Sequence, residues 1–178
     1  MKVSLKLKNA NIDKLCKNLI ILVDTREQKN KHITDFFDKN KIQWKIQKLD
    51  YGDYSCMLKK DLDLGLPFDI SLENIIAIEK KNSLNEIAGN IGGGRTAFEN
   101  EFIRSKKCQN FILLIENGSW TDIRVGNYNS ELGNKAFYNT LLSWRLKYNF
   151  QIDFVDNRFT GSHIYEIFKK KLEQILEE

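Results

Sequence analysis

The chain has 178 residues, with 28 Lys and Arg against 24 Asp and Glu for a formal charge of +4, and 42% of its residues are hydrophobic. That balance is the composition of an ordinary folded domain and excludes collagen-like, disordered and coiled-coil chains. At this length a core is expected to bury roughly 70% of the unfolded surface, so neither disulfides nor a structural metal is required.

Leu19 to Asp24 reads as a strand, and Ile33 to Asn40 as a short helix presenting Ile33, Phe36 and Phe37. Ile42 to Leu49 and Tyr54 to Leu58 read as two strands flanking the turn-like Asp50-Tyr51-Gly52-Asp53, which suggests an antiparallel pair. Lys59 to Asn74 reads as a loop or flexible hairpin. Ile75 to Glu79 has the apolar density of a strand buried on both faces and ends in Glu79-Lys80-Lys81. Ser83 to Ala88 opens a helix, Gly92 to Gly94 breaks the pattern, and Thr96 to Lys107 resumes it with Phe98 and Phe102 on one face. Phe111 to Glu116 reads as another buried strand, Asn134 to Tyr148 as a helix, Gln151 to Val155 as the last strand and Ser162 to Leu176 as an amphipathic helix. The order is mixed α/β. With no repeat, no low-complexity stretch and one proline, Pro67, a single domain over 1–178 is expected, its core at about 19–176.

Cys16, Cys56 and Cys108 are odd in number and scattered, and with only His32 and His163 they offer no zinc-ligand spacing. A reducing, cytoplasmic setting is expected. No stretch approaches the ~20 apolar residues of a membrane span, so no membrane partner is expected.

The most informative spacing is Asp53, in a Gly-Asp-Tyr turn, followed by Glu79-x-Lys81 at the end of a buried strand. Residues two apart on a strand share a face, so Glu79 and Lys81 should project together. Two carboxylates can hold a hard cation such as Mg²⁺ and leave room for water and a phosphate oxygen, and the lysine can orient water or balance phosphate charge. Taken alone, the pattern fits a solvated charge cluster at a strand end better than a catalytic site. Arg95, at a helix start, can clamp a phosphate through two bonds or form an i, i+4 pair with Glu99. Trp44 and Trp144 fall at core positions, leaving Trp120 as the candidate surface aromatic, and neither histidine has an evident partner.

Context sharpens the reading. Val23-Asp24-Thr25-Arg26-Glu27 follows the first strand, Gly52-Asp53 follows the second, Ile78-Glu79-Lys80-Lys81 ends the fourth, and Arg95 with Phe98-Glu99 opens the next long helix. In order and placement these segments resemble the nuclease domain of the XPF family of structure-specific endonucleases, with its VDxRE, GD and ERKxxxD motifs. The run from Glu79 to Glu101 is similar to compact stand-alone bacterial and phage members. The resemblance implies a restriction-endonuclease-like PD-(D/E)XK core, a central mixed β-sheet flanked by helices. It implies metal-dependent DNA cleavage, with Asp53, Glu79 and Asp24 as ligands of Mg²⁺ or Mn²⁺ and Lys81 as catalytic lysine. Asp24 would join the catalytic set, and Arg26, Glu27 and Arg95 would support it or bind phosphate.

Branched, flapped or forked DNA in repair, recombination or replication is the substrate the family implies. A non-catalytic DNA-binding scaffold and a duplex-cutting restriction or recombination nuclease are the alternatives. Two positions depart from the family pattern: Lys80 stands for its central Arg and Asn85 for its final Asp. The tandem helix-hairpin-helix module of larger relatives has no expected counterpart after Phe159. Selectivity is therefore expected from the nuclease domain itself, from a homodimer or from a partner protein.

Overall fold

A computed structural model describes residues 12–177. Helix α1 (Ile12–Asn18) leads into β1 (Leu19–Val23), followed by α2 (Lys31–Lys39), β2 (Trp44–Ile46), β3 (Tyr54–Leu58), β4 (Ile70–Ser71) and β5 (Ile76–Lys81). Then come α3 (Leu84–Gly92), α4 (Arg95–Ser105), β6 (Asn110–Glu116), α5 (Trp120–Val125), α6 (Asn134–Tyr148), β7 (Gln151–Val155), a 3₁₀ turn (Asn157–Phe159) and α7 (Thr160–Glu177). The strands form one mixed sheet in the order β2-β1-β3-β5-β6-β7, with β4 paired to β3.

The expected antiparallel pairing of β2 with β3 is not what forms. β1 lies between them, parallel to β2 and antiparallel to β3. With α2 separating β1 from β2, the chain makes a crossover rather than a hairpin, and parallel neighbours require such a connection. The stretch expected as a loop or flexible hairpin before β5 contains an isolated antiparallel bridge between Asp61 and Leu66 and the short β4. Helices α1 and α5, which have no counterpart in the sequence reading, have only 7 and 6 residues. So short a helix shows too little periodicity to detect.

Alternation along β5 divides the interior. Ile76 and Ile78 join a cluster with Leu15 of α1, Ile33 and Phe37 of α2, and Ile164, Phe168 and Leu172 of α7. Ala77 joins the opposite cluster with Ile87 of α3, Phe98 and Phe102 of α4, and Trp144 of α6. Helices thus cover both faces of the sheet. The period-two rule carries the same division past the apolar run, so Glu79 and Lys81 follow Ala77, whereas Lys80 follows Ile78.

Trp144 is core as expected, Trp44 is half-buried with Nε1 donating to Asp38 Oδ1 at 2.8 Å, and Trp120 is also half-buried, edge-on to Tyr138 and Phe154. Trp120 is therefore not a free surface aromatic. Both histidines have acidic neighbours: His32 Nε2 lies 2.6 Å from Glu116 Oε1, and His163 Nε2 lies 3.5 Å from Asp153 Oδ2. No described helix is long and apolar enough to cross a membrane.

Candidate active site

The turn before β3 delivers the first carboxylate. Asp53 N–H donates to Ile78 O at 2.8 Å and Asp53 O accepts from Asp24 N–H at 2.8 Å, which bolts the turn between β5 and the end of β1. Gly52 permits this approach: its φ is +73°, and a Cβ there would lie 3.0 Å from Ile78 O. The left-handed conformation disfavours other residues. Asp53 Oδ2 accepts from the backbone N–H of Lys80 at 2.8 Å, so its carboxylate is aimed at the end of β5.

Glu79 and Lys81 emerge beside it on one face, as expected, and Lys81 Nζ lies 2.6 Å from Glu79 Oε1. These side chains line a cleft of about 230 Å³ together with Arg26, Glu27, Tyr51, Gly52, Asp53, Lys80, Glu86, Glu101 and Arg104. Lys80 occupies the opposite face with its side chain enclosed, and Nζ donates to Lys29 O at 3.1 Å and Asn82 Oδ1 at 2.8 Å. A straight ammonium stem fits this pocket of oxygen acceptors, so Lys at the family's Arg position is accommodated. Asn85 points away and accepts from Asn129 N–H at 2.7 Å. Glu86 accepts from Asn82 N–H and Nδ2 at 2.9 and 2.8 Å, while Ser83 Oγ accepts from Glu86 N–H, and together these bonds cap α3.

Asp24 and Arg95 are placed differently from the sequence reading. Asp24 is buried beside the cleft and fully engaged: Oδ1 accepts from Arg26 N–H at 2.9 Å and Nε at 2.6 Å, and Oδ2 from Arg26 Nη2 at 3.1 Å and Leu49 N–H at 2.7 Å. It positions Arg26 and the Leu49 backbone and is not among the cleft-lining residues. Among the described residues no three His, Cys, Asp or Glu side chains are grouped so as to hold an ion, so the expected three-carboxylate set does not assemble. Arg95 does open α4, but its guanidinium stacks 4.9 Å from the Trp144 ring centre and Nη1 donates to Thr140 Oγ1 at 3.4 Å, outside the cleft. Glu99 pairs instead with Lys147 at 3.0 Å and with the Tyr148 hydroxyl.

Two cleft residues went unremarked in the sequence, Glu101 and Arg104 of α4. The signal for Glu101 was present, because positions 98, 101, 102 and 105 share a helical face and Phe98, Phe102 and Ser105 are buried. A glutamate on the inward face of a helix marks either a paired charge or a site.

Electrostatics set this cleft apart. Burial and the neighbouring Glu79 push the Asp53 carboxyl well above its ordinary value. Burial, then Glu79, raises Glu101 to about 7. Burial raises Glu27 too, against the pull of Lys80. For Lys81, burial lowers the ammonium's pKa but Glu79 and Glu101 outweigh it and raise it. Among the described residues, Glu27 Oε1 and Glu101 Oε2 are enclosed with no hydrogen-bond partner. Carboxyls raised first by burial and then by neighbouring charge, with orphaned oxygens at Glu27 and Glu101, suit the oxygen donors that a hard divalent cation takes.

The ERCC4 domain matches residues 23–167. The chain belongs to the ERCC4-domain family. This is the family of XPF-type nuclease domains expected from the motifs. Among solved structures, this ERCC4 domain is similar to "XPF from Aeropyrum pernix", with 16% identity and a TM-score of 0.62 over 89% of this chain and 67% of that one. A second similar structure is "XPF from Aeropyrum pernix, complex with DNA", with 16% identity and a TM-score of 0.61 over 87% of this chain and 66% of that one. The domain spans about two thirds of those archaeal chains, and the shared fold is the restriction-endonuclease-like one. No curated protein matches the sequence significantly.

Proposed function

We propose that this ERCC4 domain is a metal-dependent DNA endonuclease that hydrolyses phosphodiester bonds. The observation that carries this reading is the convergence of Asp53, Glu79 and Lys81 in one cleft that also holds orphaned carboxylate oxygens. Asp53 and Glu79 would hold Mg²⁺ or Mn²⁺, as two carboxylates that leave places for water and a phosphate oxygen. When bound, the ion would polarise the phosphate and lower the pKa of its water.

The chain's own groups act around that centre. Lys81 supplies a permanent cation beside Glu79, held charged by two carboxylates, and can orient a nucleophilic water or balance charge on the scissile phosphate. Arg104 lines the same cleft as an exposed guanidinium suited to a flanking phosphate, and we assign it the clamp role first given to Arg95. Asp24 works through Arg26 and the Leu49 backbone rather than as a ligand.

Branched, flapped or forked DNA, the substrate class of structure-specific nucleases, is the proposed target. Its selection would fall to this domain, to self-association or to a partner protein. The test incubates end-labelled fork, flap, junction and plain duplex DNA with Mg²⁺ or Mn²⁺, beside Glu79→Ala. Metal-dependent cutting of the branched substrates that the substitution abolishes is the expected result. DNA binding without cutting under any metal would replace the proposal with a scaffold role. Equal cutting of plain duplex would remove structure selectivity.

A further inference from the structure

Lys81 is held from two elements. Glu79, on its own strand, brings Oε1 to 2.6 Å from Nζ, whereas α4 brings Glu101 Oε2 to 3.6 Å and the Phe98 ring centre to 5.0 Å. Phe98 and Glu101 are three residues apart and share a helical face, so α4 presents an aromatic ring and a carboxylate to the ammonium together.

Glu101 Oε2 is enclosed yet accepts no hydrogen bond, and 3.6 Å to Lys81 is too long for one. Closing that gap to the ~2.8 Å of a charge-assisted bond takes less than an ångström, within reach of a flexible lysine stem. The need for such a closure arises at Glu79. Its Oε1 is committed to Lys81, and an ion held by both oxygens of Glu79 would compete with Lys81 for it. Lys81 has a side chain only 9% exposed, so water cannot replace a lost counter-ion there.

We propose that Glu101 is a positioning residue that takes Lys81 Nζ over from Glu79, freeing Glu79 for the ion while keeping the ammonium at the reacting phosphate. The proposal rests on the reading of the cleft as a metal-assisted nuclease site. It makes α4, rather than the strand motif alone, the element that sets the lysine. Phe98 supports the same station by capping the ammonium with its ring.

The test is a double-mutant cycle over Lys81→Met and Glu101→Gln with three readouts: urea denaturation with and without Ca²⁺, Ca²⁺ affinity by calorimetry, and single-turnover cleavage with Mg²⁺. In the denaturation cycle the two substitutions are expected to be non-additive, and more so when Ca²⁺ occupies the cleft. Glu101→Gln should weaken Ca²⁺ binding by less than Glu79→Gln does, because Lys81 then stays on Glu79, and should slow cleavage by about 10- to 100-fold, the scale of a misplaced catalytic group. In the Lys81→Met background it should slow cleavage no further. Glu101→Asp, which keeps the charge, should recover part of the rate.

Loss of Ca²⁺ affinity equal to that of Glu79→Gln would overturn the proposal by making Glu101 a ligand. Equal slowing in both backgrounds would overturn it by making its role independent of Lys81, as would strict additivity in the denaturation cycle with and without Ca²⁺. A wild-type protein that cuts no DNA under any metal would end the nuclease reading instead, and the denaturation cycle would still decide whether Glu101 holds Lys81.

Discussion

Replacing Asp24 with Asn separates a ligand from a structural carboxylate. Asp24 is 1% exposed and accepts four hydrogen bonds, three from Arg26 and one from Leu49 N–H. Asn keeps the shape but turns one acceptor into a donor, and each side of the carboxylate faces a backbone N–H. Losing one bond to a charged acceptor costs about 1.5–3 kcal/mol, and the stranded donor about 1–3 kcal/mol. The two terms overlap, and the Arg26 share is discounted because that side chain is 60% exposed. A net loss of about 3 kcal/mol follows, or roughly 6–12 °C in Tm for a domain of this size.

Asp24 also fixes the direction of the pH dependence. Burial alone would raise its carboxyl, but the bonds from Arg26 and Leu49 outweigh burial and hold it below its ordinary value. Its contribution is therefore complete above the unfolded value near ~3.9 and is lost as pH falls through the folded one. Urea denaturation should show the gap between wild type and Asp24→Asn at pH 7 closing below about pH 4, while calorimetry shows near-normal Ca²⁺ binding. A variant with wild-type Tm and no metal affinity would return Asp24 to the ligand set.

Gly52→Ala should cost at least ~1–2 kcal/mol for the left-handed backbone, and contact with Ile78 O should shift Asp53 and weaken Ca²⁺ binding; wild-type values for both in melting and calorimetry would contradict the placement. Lys81→Met leaves Glu79 enclosed without its cation, so the metal-free protein should lose about 3–5 kcal/mol, much of it recovered by Ca²⁺, and cleavage should fall ~10²- to 10⁴-fold; a stability loss that Ca²⁺ does not touch would place the ion elsewhere. Metal uptake should strengthen as pH rises through about 7, because Asp53 is raised and Glu101 lies at about 7, so protons must leave before an ion enters. Calorimetry in buffers of different ionisation enthalpy would reveal that proton release, and pH-independent affinity would rule it out.

Much of this protein is local, and local features are legible in the chain. Helix α6 and strand β7 lie where periodicity places them, and the shared face of Glu79 and Lys81 follows from the pleat of one strand. Gly52-Asp53 and Glu79-x-Lys81 named the candidate site because strand ends and turns are short-range features. The pairing of β2 was not legible, since hydrophobic pattern identifies a strand without naming its neighbour. Nor was the fate of Asp24, because a carboxylate next to an arginine in sequence looks the same whether it faces a cleft or is consumed by that arginine and a backbone N–H 25 residues away.

Sequence alone determined the family, the sheet-and-helix order and the carboxylate pair with its lysine, all of which depend on residue type and spacing over a few positions. Tertiary structure decided which charges meet. It withdrew Asp24, whose carboxylate Arg26 and the Leu49 backbone consume, and on α4 it set Arg95 outside the cleft and Glu101 and Arg104 along it, because packing, not distance along the chain, sets which side chains meet.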